Sequence, residues 1–188
     1  MKTLQSLKSK KGFTLVELLV VIAILAVLAV AVVVVLNPAE LLKQARDSTR
    51  ISDMAALNSA VALYFADVAP SSMTQTVRCT SGTTFPGGGT ACAASASTSV
   101  DGTGWISIVF TSISSGSPLA RLPLDPVNSG SLFYASKVST TVGAYELNAN
   151  MESVKYSSTS ASEVVSAAKD GGNVAGWYEV GSSLAQTW

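Results

Sequence analysis

The most constraining feature of the sequence is a long apolar run near its beginning. Residues 13–36 contain only two polar side chains, Thr14 and Glu17. A helix of this length spans about 36 Å, and the hydrocarbon core of a bilayer is about 30 Å thick. Because lipid offers the backbone no hydrogen-bonding partner, a segment that crosses it must bond internally. The run therefore predicts one membrane-spanning helix.

Charged residues are distributed unevenly on either side of this run. The chain has twelve Lys and Arg and twelve Asp and Glu residues, and four of the basic ones lie within residues 1–12, where there is no acid. The rest of the chain therefore holds eight basic and twelve acidic side chains. A basic segment before an apolar helix is typically kept in the cytoplasm, so we expect the later residues outside it. The overall neutrality excludes a global field that would attract nucleic acid.

The composition argues against catalysis and metal binding. The sequence contains no histidine, the commonest general base and the commonest metal ligand. Its serines have no His/Asp relay to activate them, so we expect no enzyme, no cofactor and no metal. Asp125, Asp170 and Asn173 have oxygens that can bind calcium, but the alternating acids of a calcium loop are absent. We therefore favour turn and cap roles for these three residues.

Two cysteines, Cys79 and Cys92, lie in a Ser-, Thr- and Gly-rich stretch that we predict to be a loop, residues 70–104. If this stretch is outside the cytoplasm, a disulfide that closes the loop is the natural interpretation. Such a bond contributes about 3 kcal/mol in the chain-entropy model. Two free thiols are the alternative.

Residues 37–69 predict an amphipathic helix, because apolar residues recur mostly every three or four positions and end before Pro70. Residues 37–40, Asn-Pro-Ala-Glu, either start this helix or form a proline kink within one long helix. Four charged residues in the segment form either a solvated face or contacts with neighbouring subunits. They are Arg46, Asp47, Arg50 and Asp53.

The remaining residues, 105–188, predict a small antiparallel sheet, so the fold class is α+β, with the second half of the long N-terminal helix packed on that sheet. β-Branched and aromatic residues indicate a first strand at 105–110, a hairpin of strands 132–138 and 142–147, and an edge strand at 177–180. A short helix is predicted at 162–169. We expect five aromatic residues to pack in the core and at its edges: Trp105, Phe133, Tyr134, Tyr145 and Trp177.

The segment with the most functional information is residues 10–19, Lys-Lys-Gly-Phe-Thr-Leu-Val-Glu-Leu-Leu. Gly12 has no side chain to obstruct a protease. Glu17 places a carboxylate inside the apolar run, at a cost of about 3 kcal/mol in hydrocarbon. If the chain is cut after Gly12, the new amine of Phe13 is a cation four residues from Glu17. In an axially offset neighbouring subunit this amine would neutralise the acid.

The segment KKGFTLVELLVVIAIL resembles the class III signal and N-terminal helix of type IV prepilins and pseudopilins. The match is dense over residues 10–36, and weaker likeness continues in NPAELLKQARDSTRISDMAALNSAV, LPLDPVNS and YELNANMES. The resemblance implies cleavage between Gly12 and Phe13 by a prepilin peptidase, N-methylation of Phe13, and an assembly role for Glu17. Pro38 departs from the pattern, because it falls later than the family's common kink proline.

This resemblance implies a structural subunit of a type IV pilus-like surface filament. The precursor would be a single-pass membrane protein with its N-terminus in the cytoplasm. The implied partners are the bilayer before assembly, the peptidase, copies of itself and related pilins, and an inner-membrane platform with a cytoplasmic ATPase. The implied regions are a leader (1–12), an assembly helix (13–36), its amphipathic extension (37–69), a cysteine-containing loop (70–104) and the C-terminal sheet (105–188).

Other functions remain open at the level of sequence. A pseudopilin of a type II secretion or DNA-uptake machine would move cargo with a short pseudopilus. A minor pilin would bind DNA, a host or a surface ligand at the filament tip. An ordinary secretory signal cut at residues 29–31, or a plain signal anchor, is a further alternative, but it leaves Glu17 unexplained.

Overall fold

The computed structural model of the protein describes residues 12–68, 75–87, 90–139, 142–157 and 166–184. The chain divides into two units, residues 1–41 and 42–188. The first contains helix α1, Leu15–Leu36, in which no residue is buried. Within the described ranges, α1 is the one helix long and apolar enough to cross a membrane. This agrees with the predicted membrane-spanning helix.

Helix α1 ends at Asn37, and helix α2, Pro38–Asp67, begins at the next residue. Asn37 has a φ of 41°, a left-handed conformation that asparagine adopts more readily than most residues. Its carbonyl accepts hydrogen bonds from the backbone N–H of Glu40, at 3.0 Å, and of Leu41, at 3.3 Å. Pro38 lacks an N–H and is tolerated at this first helical position. Of the two alternatives for residues 37–40, the structure has the start of a new helix.

The second unit contains a five-stranded sheet in the order β2-β1-β3-β4-β5. β1 and β2 are parallel, and the other neighbouring pairs are antiparallel. The strands are β1 Thr76–Cys79, β2 Ala93–Ala94, β3 Tyr134–Ser139, β4 Ala144–Asn150 and β5 Trp177–Gly181. The α+β class, the β3–β4 hairpin and the edge position of β5 are therefore confirmed.

Helix α2 packs one face against this sheet. Its buried apolar residues recur at helical spacing and join a core with side chains of β3 and β4, including Tyr134, Tyr145 and Leu147. The hydroxyl of Tyr134 also donates to Asp53 of α2 at 2.7 Å. The buried apolar residues of α2 are Met54, Leu57, Ala60, Val61 and Tyr64.

Part of the opposite face of the sheet is covered by a smaller apolar cluster. It contains the disulfide between Cys79 and Cys92, which confirms the predicted pairing, together with Phe85. Phe133 and Trp177 pack edge to face in the same cluster, with ring centroids 5.0 Å apart. The five aromatic residues expected in the core and at its edges therefore pack as predicted.

The predicted strand at 105–110 is wrong. These residues are irregular and lead into a short 3-10 helix, Phe110–Ser112. Trp105 and Ile106 are both fully buried, which an exposed-buried alternation would not allow. Their β-branched and aromatic character therefore reflects burial in the core, and not pairing with another strand.

Two further predictions need correction or lie partly outside the described residues. The stretch 70–104 is not only loop, because it contains β1 and β2. Polar composition concealed these short strands, and β1 forms by pairing with β3, more than fifty residues away. The first part of the predicted helix at 162–169 lies outside the described residues, and residues 166–169 form a bend and a turn.

Candidate processing and assembly site

The residues of the predicted processing site lie immediately before α1. Gly12, Phe13 and Thr14 have no regular secondary structure. Phe13 is 93% exposed, and a Cβ added to Gly12 would meet no atom within 4 Å. The peptide bond between Gly12 and Phe13 is therefore sterically open in this chain.

Thr14 and Glu17 begin α1 with a reciprocal capping box. The hydroxyl of Thr14 accepts from the backbone N–H of Glu17 at 3.2 Å, and the Glu17 carboxylate accepts from the backbone N–H of Thr14 at 2.7 Å. The Thr14 hydroxyl also donates to Glu17 at 2.8 Å. These bonds satisfy two N–H groups at the helix start, and the positive end of the helix dipole favours the acid there.

Thr14 donates two hydrogen bonds, one from its backbone N–H and one from its hydroxyl. Both reach the same carboxylate oxygen of Glu17, Oε2. The other oxygen, Oε1, accepts no hydrogen bond from the described part of the chain. Glu17 is thus held in one orientation by Thr14, with an acceptor still free. Sequence reasoning identified Glu17 by its charge in an apolar run, but it missed the role of Thr14. The spacing of a hydroxyl and a glutamate three residues apart is the signal that predicts this cap.

A buried ion cluster in the second unit has Arg50 at its centre. Arg50 and Asp47 are both completely buried, and the guanidinium donates to Asp47 at 2.7 Å. It also donates to both oxygens of Asp125, at 2.6 and 3.0 Å, and to Glu152 at 2.7 Å. Both interpretations from the sequence, a solvated face and contacts with neighbouring subunits, are therefore wrong for Asp47 and Arg50.

The electrostatics of this cluster explain how a buried guanidinium is tolerated. Burial opposes the charge of Arg50, but the hydrogen bonds that it donates to its carboxylate partners outweigh burial and raise its pKa. Arg46 donates to Glu152 at 2.6 and 2.8 Å. This bond, with the contribution of Arg50, lowers the pKa of Glu152 to about 2. The cluster therefore ties α2 to two distant segments through hydrogen bonds between oppositely charged side chains.

Of the three oxygen-bearing residues considered for calcium, Asp125 lies apart from Asp170 and Asn173, which share the turn at 170–176. Besides pairing with Arg50, Asp125 accepts from the N–H of Val127 at 2.8 Å and of Asn128 at 3.1 Å. Asp170 accepts from the N–H of Gly172 at 2.9 Å. Turn roles are thus confirmed for both aspartates. Among the residues with described positions, no group of three His, Cys, Asp or Glu side chains is arranged to hold a metal ion.

These observations define an α+β protein whose N-terminal helix can cross a membrane and is preceded by an open Gly-Phe bond. Residues 7–33 match the family model of the prokaryotic N-terminal methylation motif, which is the type IV prepilin signature. The matched range includes Gly12, Phe13 and Glu17. The apolar helix and the motif together fit a single-pass, membrane-anchored pilin-like precursor. The searches of curated proteins and of solved structures found no match.

Proposed function

We propose that this chain is the precursor of a structural subunit in a type IV pilus-like surface filament. A prepilin peptidase would cut between Gly12 and Phe13 and methylate the new amine of Phe13. The mature chain would then polymerise through α1. The observation that supports this most strongly is the methylation motif at residues 7–33, which joins an open Gly-Phe bond to a helix with no buried residue.

The exposure of α1 supports polymerisation through this helix. Residues such as Leu15, Val27 and Val35 are between 71% and 81% exposed. The first unit therefore gives the helix no apolar surface to pack against, and the helix needs apolar surroundings from elsewhere. Lipid supplies such surroundings before assembly. In a filament, packing against the same helix of other copies supplies them instead, through van der Waals contact and shape.

Glu17 and the Phe13 amine would set the register between subunits. The amine exists only after cleavage, and it is the natural donor for the free oxygen Oε1 of Glu17. Thr14 already holds Oε2 of Glu17, which leaves Oε1 for the amine of a neighbouring subunit. A buried charge without its counter-charge is strongly destabilising. A register between subunits in which the amine and the carboxylate do not meet would therefore be unstable.

The partners that follow are the peptidase, other copies or related pilins, and an inner-membrane platform driven by a cytoplasmic ATPase. A pseudopilin of a secretion or DNA-uptake machine is the alternative. The resemblance of residues 122–129, LPLDPVNS, to the major pseudopilins favours it. Filaments sheared from cells and built mainly of this chain would support the pilin function. Loss of exoprotein secretion upon deletion, without such filaments, would support the pseudopilin.

The decisive experiment is the intact mass of the assembled form. We expect a mature chain that starts at Phe13 and has one added methyl group. Gly12→Val should leave only uncleaved precursor, because the Cβ and its methyls would fill the space that a protease needs. Ser9→Val is the matched control in the leader and should be cleaved normally. A mature chain that starts at Val32 would overturn the proposal.

A further inference from the structure

The face of the sheet opposite α2 contains a buried layer of polar side chains. Glu146 and Asn148 lie on β4, and Glu179 lies on β5; each is at most 2% exposed. Lys137 of β3 is paired in register with Glu146, and Asn148 is paired with Glu179. The four side chains therefore lie next to one another on three adjacent strands.

Two peripheral segments cover this polar layer. One is the disulfide-closed segment, residues 79–92, of which the structure describes 79–87 and 90–92, and the other is the turn at 170–176. They meet where Gly87 lies directly against Val174, so closely that a Cβ on Gly87 would overlap the valine side chain. A cavity of about 100 Å³ remains beneath them. Its polar lining includes Thr90, Lys137, Glu146 and Asn173.

The turn is anchored to the sheet by two carboxylates. Asp170 accepts from the backbone N–H of Gly172 at 2.9 Å and of Glu179 at 2.6 Å. Glu179 in turn accepts from the N–H of Val174 at 3.2 Å. Gly172 is so close to the Glu179 carboxylate that no side chain would fit there. The position of the turn therefore depends on where the Glu179 carboxylate lies.

Two acceptor atoms of the polar layer lack a hydrogen-bond donor among the described residues. The amide of Asn148 donates to Glu146 at 2.9 Å and, more weakly, to Glu179 at 3.5 Å. Within the described residues, Oε2 of Glu146 and Oδ1 of Asn148 have no hydrogen-bond partner. A buried acceptor without a donor is costly, and two buried carboxylates side by side repel each other. A single proton on Glu146 supplies a donor and removes one charge.

The titration of the acids agrees with this deficit. Burial, with a smaller contribution from repulsion by Glu179, raises the pKa of Glu146 to about 7, although Lys137 and Asn148 oppose the shift. Burial also raises the pKa of Glu179 and of Asp170. The charged and titratable groups around Glu146 are thus Lys137 on β3, Glu179 on β5 and Asp170 in the turn.

We propose that Glu146 and Glu179 form a proton lock: one shared proton holds the turn at 170–176 and the disulfide-closed segment on the sheet. Mildly acidic surroundings keep the lock closed, and loss of the proton above neutral pH loosens both segments. A proton suits this site better than a metal ion, because Lys137 already places a positive charge against Glu146. The lock lies entirely in the second unit and does not rest on the proposed function.

The direction of the pH dependence follows from the raised pKa of Glu146. The folded state holds the proton more tightly than the unfolded chain, whose glutamates titrate near ~4.3. The stabilisation is therefore complete at acidic pH below that value. It is lost progressively as the pH rises through the folded-state pKa.

Hydrogen exchange of the full chain in detergent micelles, at pH 5 and pH 8, tests the lock. The measured quantity is the protection factor, which removes the intrinsic pH dependence of exchange, for peptides covering residues 166–181. We expect at least about tenfold more protection at pH 5 than at pH 8. Peptides from α1, which lies in the other unit, serve as an internal reference and should differ little. Equal protection of the turn at both pH values would overturn the proposal.

Glu146→Gln mimics the protonated side chain and keeps its shape. We expect its turn to be as protected at pH 8 as the wild-type turn is at pH 5. Asp101→Asn is the matched control: it removes an acid whose pKa is lowered by hydrogen bonds from Thr103, and it should keep the wild-type pH dependence. A pH dependence that persists in Glu146→Gln contradicts the lock. So does restoration of wild-type protection at pH 8 by added calcium, which would identify a cation site instead.

Discussion

The two helices of this chain differ in where their partners are found. α1, Leu15–Leu36, is apolar all around and has no buried residue. α2, Pro38–Asp67, buries one face against the sheet of its own chain and exposes the other. A helix that is apolar on every side needs apolar surroundings on every side. The second unit has its core within itself, whereas α1 needs partners from outside the chain.

The two regions also treat a charge in an apolar setting differently. Arg50 of α2 is neutralised inside the chain by Asp47, Asp125 and Glu152. Glu17 of α1 is held by Thr14, which has no charge to offer. The first arrangement neutralises a buried charge within the fold, and the second leaves Glu17 without a counter-charge among the described residues. The predictions below test this difference, beginning with the largest expected effect.

Glu17→Ala should abolish assembly and leave folding intact. The variant precursor should accumulate and be cleaved, because removing the acid makes insertion into lipid easier. Polymerisation should fail, since each buried Phe13 amine would lack its counter-charge. The measurement is the amount of sheared filament, compared with the amount of cleaved subunit in the membrane.

Two further variants control the Glu17 experiment. Glu17→Gln keeps an acceptor for the Thr14 N–H but has no charge, so partial failure of assembly is expected if charge neutralisation dominates. Leu19→Ala shortens an exposed apolar side chain two residues further on and should reduce filament yield much less. Normal filaments from a cleaved Glu17→Ala subunit would show that the acid has no assembly role.

Arg50→Ala should lower the free energy of unfolding of the second unit by about 3–5 kcal/mol. The substitution leaves Asp47 and Asp125 buried without their cation, whereas Glu152 keeps Arg46. Removing one partner of a buried ion pair is strongly destabilising, because the other charge stays buried and unpaired. Urea unfolding of the full chain in detergent, followed by tryptophan fluorescence, measures this loss. Arg121→Ala, at an exposed position, should cost less than about 0.5 kcal/mol. Equal effects of the two variants would refute the stabilising role of the cluster.

Replacing Cys79 and Cys92 together by serine should lower the stability of the second unit by about 3 kcal/mol. The bond closes a segment between residues 13 positions apart, and its loss gives the unfolded chain more freedom. Hydrogen exchange should increase in the disulfide-closed segment, and α1 should be unaffected. In wild-type material from the cell surface, both thiols should resist alkylation until they are reduced. Alkylation without reduction would contradict the prediction.

Glu152→Gln should cost about 2 kcal/mol at pH 7 and change the response to acid. The pKa of Glu152 is lowered in the folded state, so its stabilisation is present above the unfolded value near ~4.3 and is lost as the pH falls towards 2. The variant should therefore lose less stability than wild type between pH 5 and pH 2. Thermal unfolding over this range measures how the stability of each protein changes with pH. The same change in both proteins would show that Glu152 contributes no pH-dependent stability.

Much of the architecture could be predicted because it depends on local pattern. The β3–β4 hairpin follows from β-branched and aromatic residues on either side of a short turn, and α2 follows from apolar residues at helical spacing. The capping pair Thr14 and Glu17 also lies within one helical turn. The strand predicted at 105–110 failed because burial and strand formation favour the same residue types.

The sequence by itself determined α1, since the length and composition of residues 13–36 suffice for a helix that can span a bilayer, and the motif before it indicates how the helix is processed. Only the tertiary structure decided that Arg50 is buried and that Glu146 lies beside Glu179. The partners of Arg50 at Asp125 and Glu152 are 75 and 102 positions away. The physical reason is that a helix in lipid bonds only within itself, whereas a buried charge depends on which distant segments fold around it.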